Sequence, residues 1–214
     1  MLTLLFYIIG GYLYQKTKFP FFSPLLVATL LLMAYILIAD INMATFITDL
    51  SGIHLFLGPL IVSLAVPIIK QINLIKKNIL PILVGSFVGA ASSMLVVVLL
   101  GNWMNLDMEI LLSIIPKAST TPIAIEVSER IGGIRAITVA VVVLTAVIGA
   151  VIVPFLIKWF KIKDPMVIGL GLGSTSHAIG TSKALEIDPI AGAIAGVALV
   201  FTGIATALIA LFIH

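Results

Sequence analysis

The sequence lacks cysteine altogether, and this absence excludes disulfide bonds, thiol chemistry and zinc–thiolate sites. Charge is also scarce, because Asp, Glu, Lys and Arg make up 10% of the 214 residues, against about 25% in a typical soluble domain. Hydrophobic residues supply 61% of the chain, and the mean hydropathy is +1.29. This balance predicts an integral membrane protein whose surroundings are a lipid bilayer.

The net charge of +3 is explained by membrane topology, and we do not predict a nucleic-acid partner. The lysines outside the polar segments described below fall in three loops, which contain Lys16 and Lys18, then Lys70, Lys76 and Lys77, then Lys158, Lys161 and Lys163. Loops with acidic residues lie between them. Because positive loops stay on the cytoplasmic side, this alternation places the lysine loops inside and the amino terminus outside.

Apolar runs of suitable length predict six membrane-spanning helices. We expect them at residues 2–15, 22–40, 54–70, 79–101, 136–157 and 190–213, the first being short for a full span. We predict that residues 110–135 and 165–188 do not cross the membrane. If residues 110–135 crossed once, the Lys158 loop would lie outside, whereas a re-entrant hairpin keeps that loop inside. The same reasoning predicts a second re-entrant hairpin at residues 165–188.

Each hairpin is followed by a spanning helix, so residues 110–157 and 165–213 read as a repeat whose two units enter from opposite faces. Inverted repeats with broken helices at the bilayer midplane are typical of secondary transporters. We therefore predict an all-α polytopic membrane protein, with about six transmembrane helices and two opposed re-entrant hairpins in a C-terminal inverted repeat. Residues 1–101 would form a scaffold-like part, and residues 102–214 would carry the site and move against it.

The first hairpin carries a polar island, Pro116-Lys-Ala-Ser-Thr-Thr-Pro-Ile-Ala-Ile-Glu126. Thr121 before Pro122 predicts an N-cap followed by a proline at the first helical position. Free N–H groups and the positive end of the helix dipole would then face the tip. With the charge of Lys117 and the hydroxyls of Ser119 and Thr120, this pattern predicts a site for a small anion.

The second island, Gly173-Ser-Thr-Ser-His-Ala-Ile-Gly-Thr-Ser-Lys183, lies at the predicted tip of the second hairpin. Ser174–Ser176 can cap a second half-helix, with His177 at its start and Thr181 one turn later. We expect Ser176 and Thr181 to donate hydrogen bonds to a carboxylate. His177 is a candidate ligand or proton carrier, because the pKa of histidine lies near physiological pH.

Structural roles compete with each functional one. Lys117 can extend to an interface or pair with Glu126, the hydroxyls can satisfy broken backbone, and His177 can be a packing residue. Gly169-x-Gly-x-Gly173 lacks the strand–helix context of a nucleotide site. No acid is placed to orient His177 beside the serines, as a hydrolase would need. We therefore predict no enzyme, no catalytic residue, no cofactor and no metal.

A family resemblance rests on four stretches, which are Leu57-Gly-Pro-Leu60, Pro116-Lys-Ala-Ser-Thr-Thr-Pro-Ile-Ala124, Ile131-Gly-Gly133 and Ser176-His-Ala-Ile-Gly-Thr-Ser-Lys-Ala184. Through these stretches the chain resembles the LrgB/CidB family, and the resemblance covers essentially its whole length. Ala118, Ser119, Ser176 and Ala178 depart from the residues that the family motifs usually have. These departures concern the set of polar side chains rather than the architecture.

The resemblance implies two kinds of function. The family is named for antiholin-like regulation of murein hydrolases and cell lysis, together with a small LrgA/CidA-type membrane partner. Related proteins transport monocarboxylates, namely pyruvate in bacteria and glycolate and glycerate in the chloroplast envelope. We expect a transporter of such an anion in the bacterial plasma membrane, acting as a homo-oligomer and possessing a proton-coupling residue in His177. The alternative is a regulator of lysis without transport of its own.

Overall fold

The structure is a computed structural model, and it describes residues 2–17, 22, 24–41, 46, 52, 55, 57–63 and 65–213. Helices account for most of these residues. In chain order the helices are α1 (Leu2–Thr17), α2 (Pro24–Ile38), α3 (Leu57–Ser63), α4 (Ala65–Lys70), α5 (Ile72–Lys77), α6 (Ile79–Trp103), α7 (Met108–Ile114), a 3-10 helix (Ile115–Ala118), α8 (Thr121–Ile131), α9 (Arg135–Trp159), α10 (Pro165–Ile187) and α11 (Pro189–Ala210). These described residues include no strand, which agrees with the predicted all-α class.

The chain divides into two compact units, Met1–Ser63 and Leu64–His214. In the first unit α1 and α2 run antiparallel. Gly10 approaches the backbone of Pro24 so closely that a Cβ there would lie 2.8 Å from the Pro24 Cα. The rings of Phe6 and Tyr35 meet edge to face with their centroids 6.5 Å apart. The predicted functional boundary at residue 101 differs from this division and stays a prediction.

Three helices of the second unit, α6, α9 and α11, are long and apolar enough to cross a bilayer. They contain 25, 25 and 22 residues with mean hydropathies of 2.3, 2.9 and 2.3. At 1.5 Å per residue, each exceeds the roughly 30 Å thickness of a hydrocarbon core. They match the predicted spans 79–101, 136–157 and 190–213. The membrane class is confirmed, whereas the total of six spans stays a prediction.

The core of the second unit is built around α11. In its most apolar stretch 56% of the residues are buried, against 28% in α6 and 22% in α9. Its buried side chains are small, and they include Ala191, Gly192, Ala193, Ala195, Gly196 and Ala198. Small side chains allow neighbouring helix backbones to approach closely. Helix α11 is therefore the most buried of the three, while α6 and α9 expose wider apolar faces that suit lipid.

The region between residues 54 and 78 departs from the single helix and lysine loop predicted there. The structure describes α3 and α4, with residue 64 outside the described residues, and then α5 where a loop was expected. Pro67 is tolerated because it lies in the first turn of α4. Helix α5 forms because Ile75 is buried in a cluster with Ile82 and Ile194, a contact that an extended loop would lose.

Candidate functional site

The first polar island lies where the helical backbone breaks between α7 and α8. The 3-10 helix ends at Ala118, and Ser119 (φ −115°, ψ 170°) and Thr120 (φ −62°, ψ 149°) are extended. Thr120 is the N-cap of α8, and Pro122 lies in its first turn. The predicted N-cap, Thr121, is wrong by one residue, because Thr120 is the last residue with an extended ψ.

The chain doubles back at this break. Gly133, which follows α8, lies against α7 so closely that a Cβ there would be 2.8 Å from the backbone nitrogen of Ser113. The Ile134 N–H donates a 2.6 Å hydrogen bond to Ser113 Oγ. Gly132 ends α8 with a φ of 95°, a conformation that favours glycine. Helices α7 and α8 thus form a hairpin, and its depth in a bilayer stays a prediction.

A cluster of buried hydroxyls, Ser113, Ser128 and Thr138, holds the two ends of this hairpin to α9. Thr138 Oγ1 lies 2.6 Å from Ser128 Oγ and 3.0 Å from the Ser113 carbonyl oxygen. All three side chains are fully buried. Buried hydroxyls need partners, so three of them in apolar segments were a signal for a contact between α7, α8 and α9. None of these three residues was among the predicted site residues.

The second polar island contains a second break, inside α10. His177 has φ 51° and ψ −136°, which helical residues do not adopt. Beyond it, a Cβ on Gly180 would lie 2.9 Å from the carbonyl carbon of Leu172. Residues eight positions apart are about 12 Å apart along a continuous helix, so this contact requires a reversal. The break therefore falls at the predicted tip.

Both arms of this second hairpin pack on α11. The contacts pair Gly169 with Ala191, Gly173 with Ala195, Thr181 with Gly196 and Leu185 with Gly192. In the first two pairs both residue numbers rise together, so the arm before His177 runs parallel to α11. In the last two pairs one number rises as the other falls, so the arm after His177 runs antiparallel. The two arms are thus antiparallel to each other.

The tips of the two hairpins meet through a single hydrogen bond. His177 Nε2 lies 3.0 Å from the carbonyl oxygen of Lys117. A carbonyl oxygen only accepts, so Nε2 carries the hydrogen and donates. The other ring nitrogen, Nδ1, is buried and has no partner among the described residues. The structure thus brings together the two islands that the sequence places sixty residues apart.

Two of the predicted donors already donate to backbone carbonyls next to the breaks. Ser119 Oγ donates to the Pro116 carbonyl at 3.0 Å, and Thr181 Oγ1 donates to the His177 carbonyl at 3.0 Å. Both side chains are buried. In this geometry their hydrogens are occupied, so they stabilise the breaks and would offer a ligand only oxygen lone pairs.

The remaining predicted hydroxyls are differently placed. Ser176 Oγ is buried 3.2 Å from Thr175 Oγ1, and it lies so close to α9 that a Cβ at Gly149 would collide with it. Thr120 and Thr121 are partly exposed, and the Thr120 side chain makes no capping hydrogen bond. The first N–H groups of α8 therefore have no side-chain cap, and they point the positive end of the helix at the break.

Lys117 supplies the charge of this region and is partly exposed. Within the described part of the chain, ion pairs join Arg135 to Glu129 at 3.4 Å and Lys183 to Glu186 at 2.6 Å, and Lys117 takes part in neither. The alternative in which Lys117 pairs with Glu126 is therefore not what the structure has. A lysine without a carboxylate partner, beside an uncapped helix N-terminus, favours an anionic ligand.

Metal binding has no support from the arrangement of the side chains. Among the described residues, no three His, Cys, Asp or Glu side chains are grouped so that they could hold an ion. What the two tips bring together is one cation, one buried imidazole, several hydroxyls and a helix N-terminus. That set can bind and orient a small oxyanion and can exchange a proton with it.

Comparison with known proteins shows which family the chain is similar to. The model of the LrgB-like family matches residues 3–214. The antiholin-like protein LrgB of Bacillus subtilis (strain 168) is 36% identical over 202 residues, which are 94% of this chain and 87% of that protein. YxaC of the same strain is 35% identical over 199 residues, covering 93% and 86% of the two chains. The antiholin-like protein LrgB of Bacillus cereus (strain B4264) is 33% identical over 210 residues, covering 98% and 91%.

No solved structure matches the chain. The family model covers nearly every residue, and the relatives exceed 30% identity along almost their whole length. The chain belongs to the LrgB-like family.

Proposed function

We propose that this protein is a membrane carrier of a small monocarboxylate of the pyruvate, glycolate or glycerate type. The observation that supports the proposal is the hydrogen bond between His177 Nε2 and the Lys117 carbonyl, which joins the two hairpin tips. Through it, a lysine that pairs with no described carboxylate, an uncapped helix N-terminus and a buried imidazole lie in one region. Each of these groups favours an anion with hydrogen-bonding oxygens.

In this carrier the Lys117 ammonium and the first N–H groups of α8 bind the carboxylate. Thr120 and Thr121 donate from the same edge, because their side chains are not used as caps. Ser119, Ser176 and Thr181 hold the broken backbone in shape around the ligand. His177 faces the ligand with Nδ1, which is the nitrogen that takes up a proton if transport is coupled to protons.

The test is uptake of radiolabelled pyruvate and glycolate into proteoliposomes that contain the purified protein. We expect saturable uptake by the wild type and a kcat/KM at least about tenfold lower in Lys117→Ala, since the variant loses a charge-assisted hydrogen bond. Lys76→Ala, which removes an exposed lysine from α5, is the matched control and should transport like the wild type. Equal uptake by Lys117→Ala and Lys76→Ala would contradict the proposed site.

A second candidate function is antiholin-like regulation of murein hydrolase activity without transport. It is favoured by the names of the LrgB relatives from Bacillus subtilis and Bacillus cereus. Under this hypothesis the protein acts with a small LrgA/CidA-type membrane partner, and the polar tips serve packing. A folded Lys117→Ala variant should then restore normal lysis in cells that lack the wild type, whereas a carrier that controls lysis through its substrate should not.

The proposal also covers the membrane in which the protein acts, its orientation and its partners. The bacterial plasma membrane fits the apolar helices α6, α9 and α11 and the bacterial relatives. The proposal has three further parts, which are an amino terminus outside the cell, a homo-oligomeric assembly and a requirement for the LrgA/CidA-type partner. If uptake by the wild type appears only after the partner is added to the proteoliposomes, the carrier is a two-component system.

A further inference from the structure

Two threonines of α11 have buried hydroxyls that are not among the groups proposed so far to bind the carboxylate. Thr202 Oγ1 and Thr206 Oγ1 are buried and have no hydrogen-bond partner among the described residues. Both side chains are 0% exposed. A threonine inside a helix ordinarily returns its hydroxyl to the carbonyl four residues earlier. Since buried polar groups are nearly always hydrogen bonded, two open hydroxyls one turn apart indicate a ligand or water between them and the facing element.

The break in the first hairpin and helix α6 both pack on this part of α11. Thr202, Thr206 and Ile209 are spaced so that they share one face of α11, and Ile213 follows just after the helix. Ile209 and Ile213 pack against the cluster that contains Ile115, just before the break. On the other side of the break, Ile123 Cδ1 would lie 2.8 Å from a Cβ on Gly203. Thr206 lies between these contacts along α11 and Thr202 lies one turn before it, so this part of the helix packs near residues 116–122.

We propose that Thr202 and Thr206 are further binding residues of the carboxylate site and donate their hydroxyl hydrogens to the oxygens of the anion held by Lys117. This inference rests on the proposed carrier function and adds a second wall to the same site. Positions four apart on a helix lie about 6 Å apart. Allowing about 2.7 Å for each hydrogen bond, a carboxylate between the two hydroxyls can accept from both.

The chemistry of the surroundings favours an anion over a cation at these hydroxyls. The facing segment carries Lys117, which forms no ion pair with a described carboxylate. A cation would therefore meet a like charge and no negative ligand. An anion would receive hydrogen bonds from two neutral donors and the charge of the lysine.

The experiment compares Thr202→Val, Thr206→Val and the double variant with the wild type, in uptake of pyruvate and glycolate and in thermal unfolding with and without these anions. Valine keeps the shape of threonine and removes only the hydroxyl. We expect KM to rise about tenfold in each single variant, and the double variant to lose the increase in Tm caused by the anion. The Tm without ligand should stay equal or rise, because an unpartnered buried hydroxyl is replaced by a methyl group.

Two kinds of control separate binding from folding. Thr202→Ser and Thr206→Ser keep the hydroxyl and should keep the KM of the wild type. Thr138→Val removes a buried hydroxyl that has partners, so it should lower Tm without ligand.

The outcomes distinguish this inference from the proposed function. A wild type without saturable uptake, alone and with its partner, overturns the carrier function and this inference with it. A wild type that transports, beside a double variant with the same KM, overturns the inference alone. A raised KM accompanied by a lower Tm without ligand also overturns it, because the threonines would then stabilise the fold instead of binding the anion.

Discussion

His177 is the residue whose backbone conformation is most informative. With φ 51° and ψ −136° it occupies a region that residues with a Cβ rarely adopt, at an expected cost on the order of 1–3 kcal/mol. Two contacts hold it there, since its ring donates to the Lys117 carbonyl and its own carbonyl accepts from Thr181. Glycine would fit this backbone without strain, so we infer that the imidazole itself is needed at the tip.

We predict that His177→Gln abolishes the pH dependence of uptake. In the wild type, a proton on Nδ1 adds a charged donor toward the carboxylate, so KM should fall as the pH decreases. The measurements stay above the reference pKa of carboxyl groups, which lies at about 4 or below, so the substrate remains ionised. Glutamine does not titrate, so its KM should be constant. Parallel profiles for the two proteins would refute the proton-carrier role.

Residue identity alone revealed part of the site. Lys117 and His177 could be singled out because ionisable groups are rare in apolar segments. The roles of the hydroxyls could not be read in the same way. Ser119 and Thr181 donate to carbonyls exposed by the breaks, a use that depends on backbone angles, and Thr202 and Thr206 look like ordinary residues of an apolar helix.

Among the helices, α10 and α11 begin in the same manner, with an aspartate followed by proline. Asp164 Oδ1 accepts from the Met166 N–H at 2.8 Å, and Asp188 Oδ1 accepts from the Ile190 and Ala191 N–H groups at 2.7 and 3.1 Å. Proline loses nothing at the first helical position, because its missing N–H would be unpaired there. Asp188 therefore sets where the second hairpin ends and the central helix α11 starts.

We predict that Asp188→Ala lowers the free energy of unfolding by about 1 kcal/mol, because two N–H groups at the start of α11 lose their acceptor. Asp188→Asn retains an oxygen acceptor and should lose only part of this stability. The comparison is made by thermal or denaturant unfolding of the protein in detergent. If Asp188→Ala were as stable as the wild type, the capping bonds would have no measurable role.

Long elements were predictable and short ones were not. The spans at 79–101, 136–157 and 190–213 follow from uninterrupted apolar runs, and the observed helices extend them by only a few residues, except that α11 ends three residues before the predicted end. Between residues 57 and 77, glycine, proline and lysine interrupt the run, so α4 and α5 depend on tertiary contacts such as that of Ile75. The two breaks were found because polar residues mark them.

For the molecule as a whole, the chain reverses at both breaks, and the inverted repeat of hairpin and helix stays a prediction. Each hairpin places both arms beside protein, where backbone groups freed by the break can be satisfied. Positions relative to the bilayer follow from the distribution of lysines alone, and they need a separate test.

We predict that Arg130→Cys reacts with a membrane-impermeant maleimide added outside intact cells. The natural chain has no cysteine, so it is a background without competing thiols. Arg130 is exposed near the end of α8. If the first hairpin enters from outside and returns there, Arg130 lies on the outer side of the membrane. Lys76→Cys, in a predicted cytoplasmic loop, should react only after the cells are permeabilised. Labelling of Arg130→Cys only after permeabilisation would show that the first hairpin enters from the other side.

The hydrogen bond between His177 and Lys117 has a mechanical consequence. It couples two hairpins that begin more than fifty residues apart, so the tips keep their spacing while the bond lasts. A transport cycle that preserves the bond must shift both hairpins together as one rigid cradle past the surrounding helices. A cycle that parts the tips must break the bond and leave the imidazole to find another acceptor in each turnover.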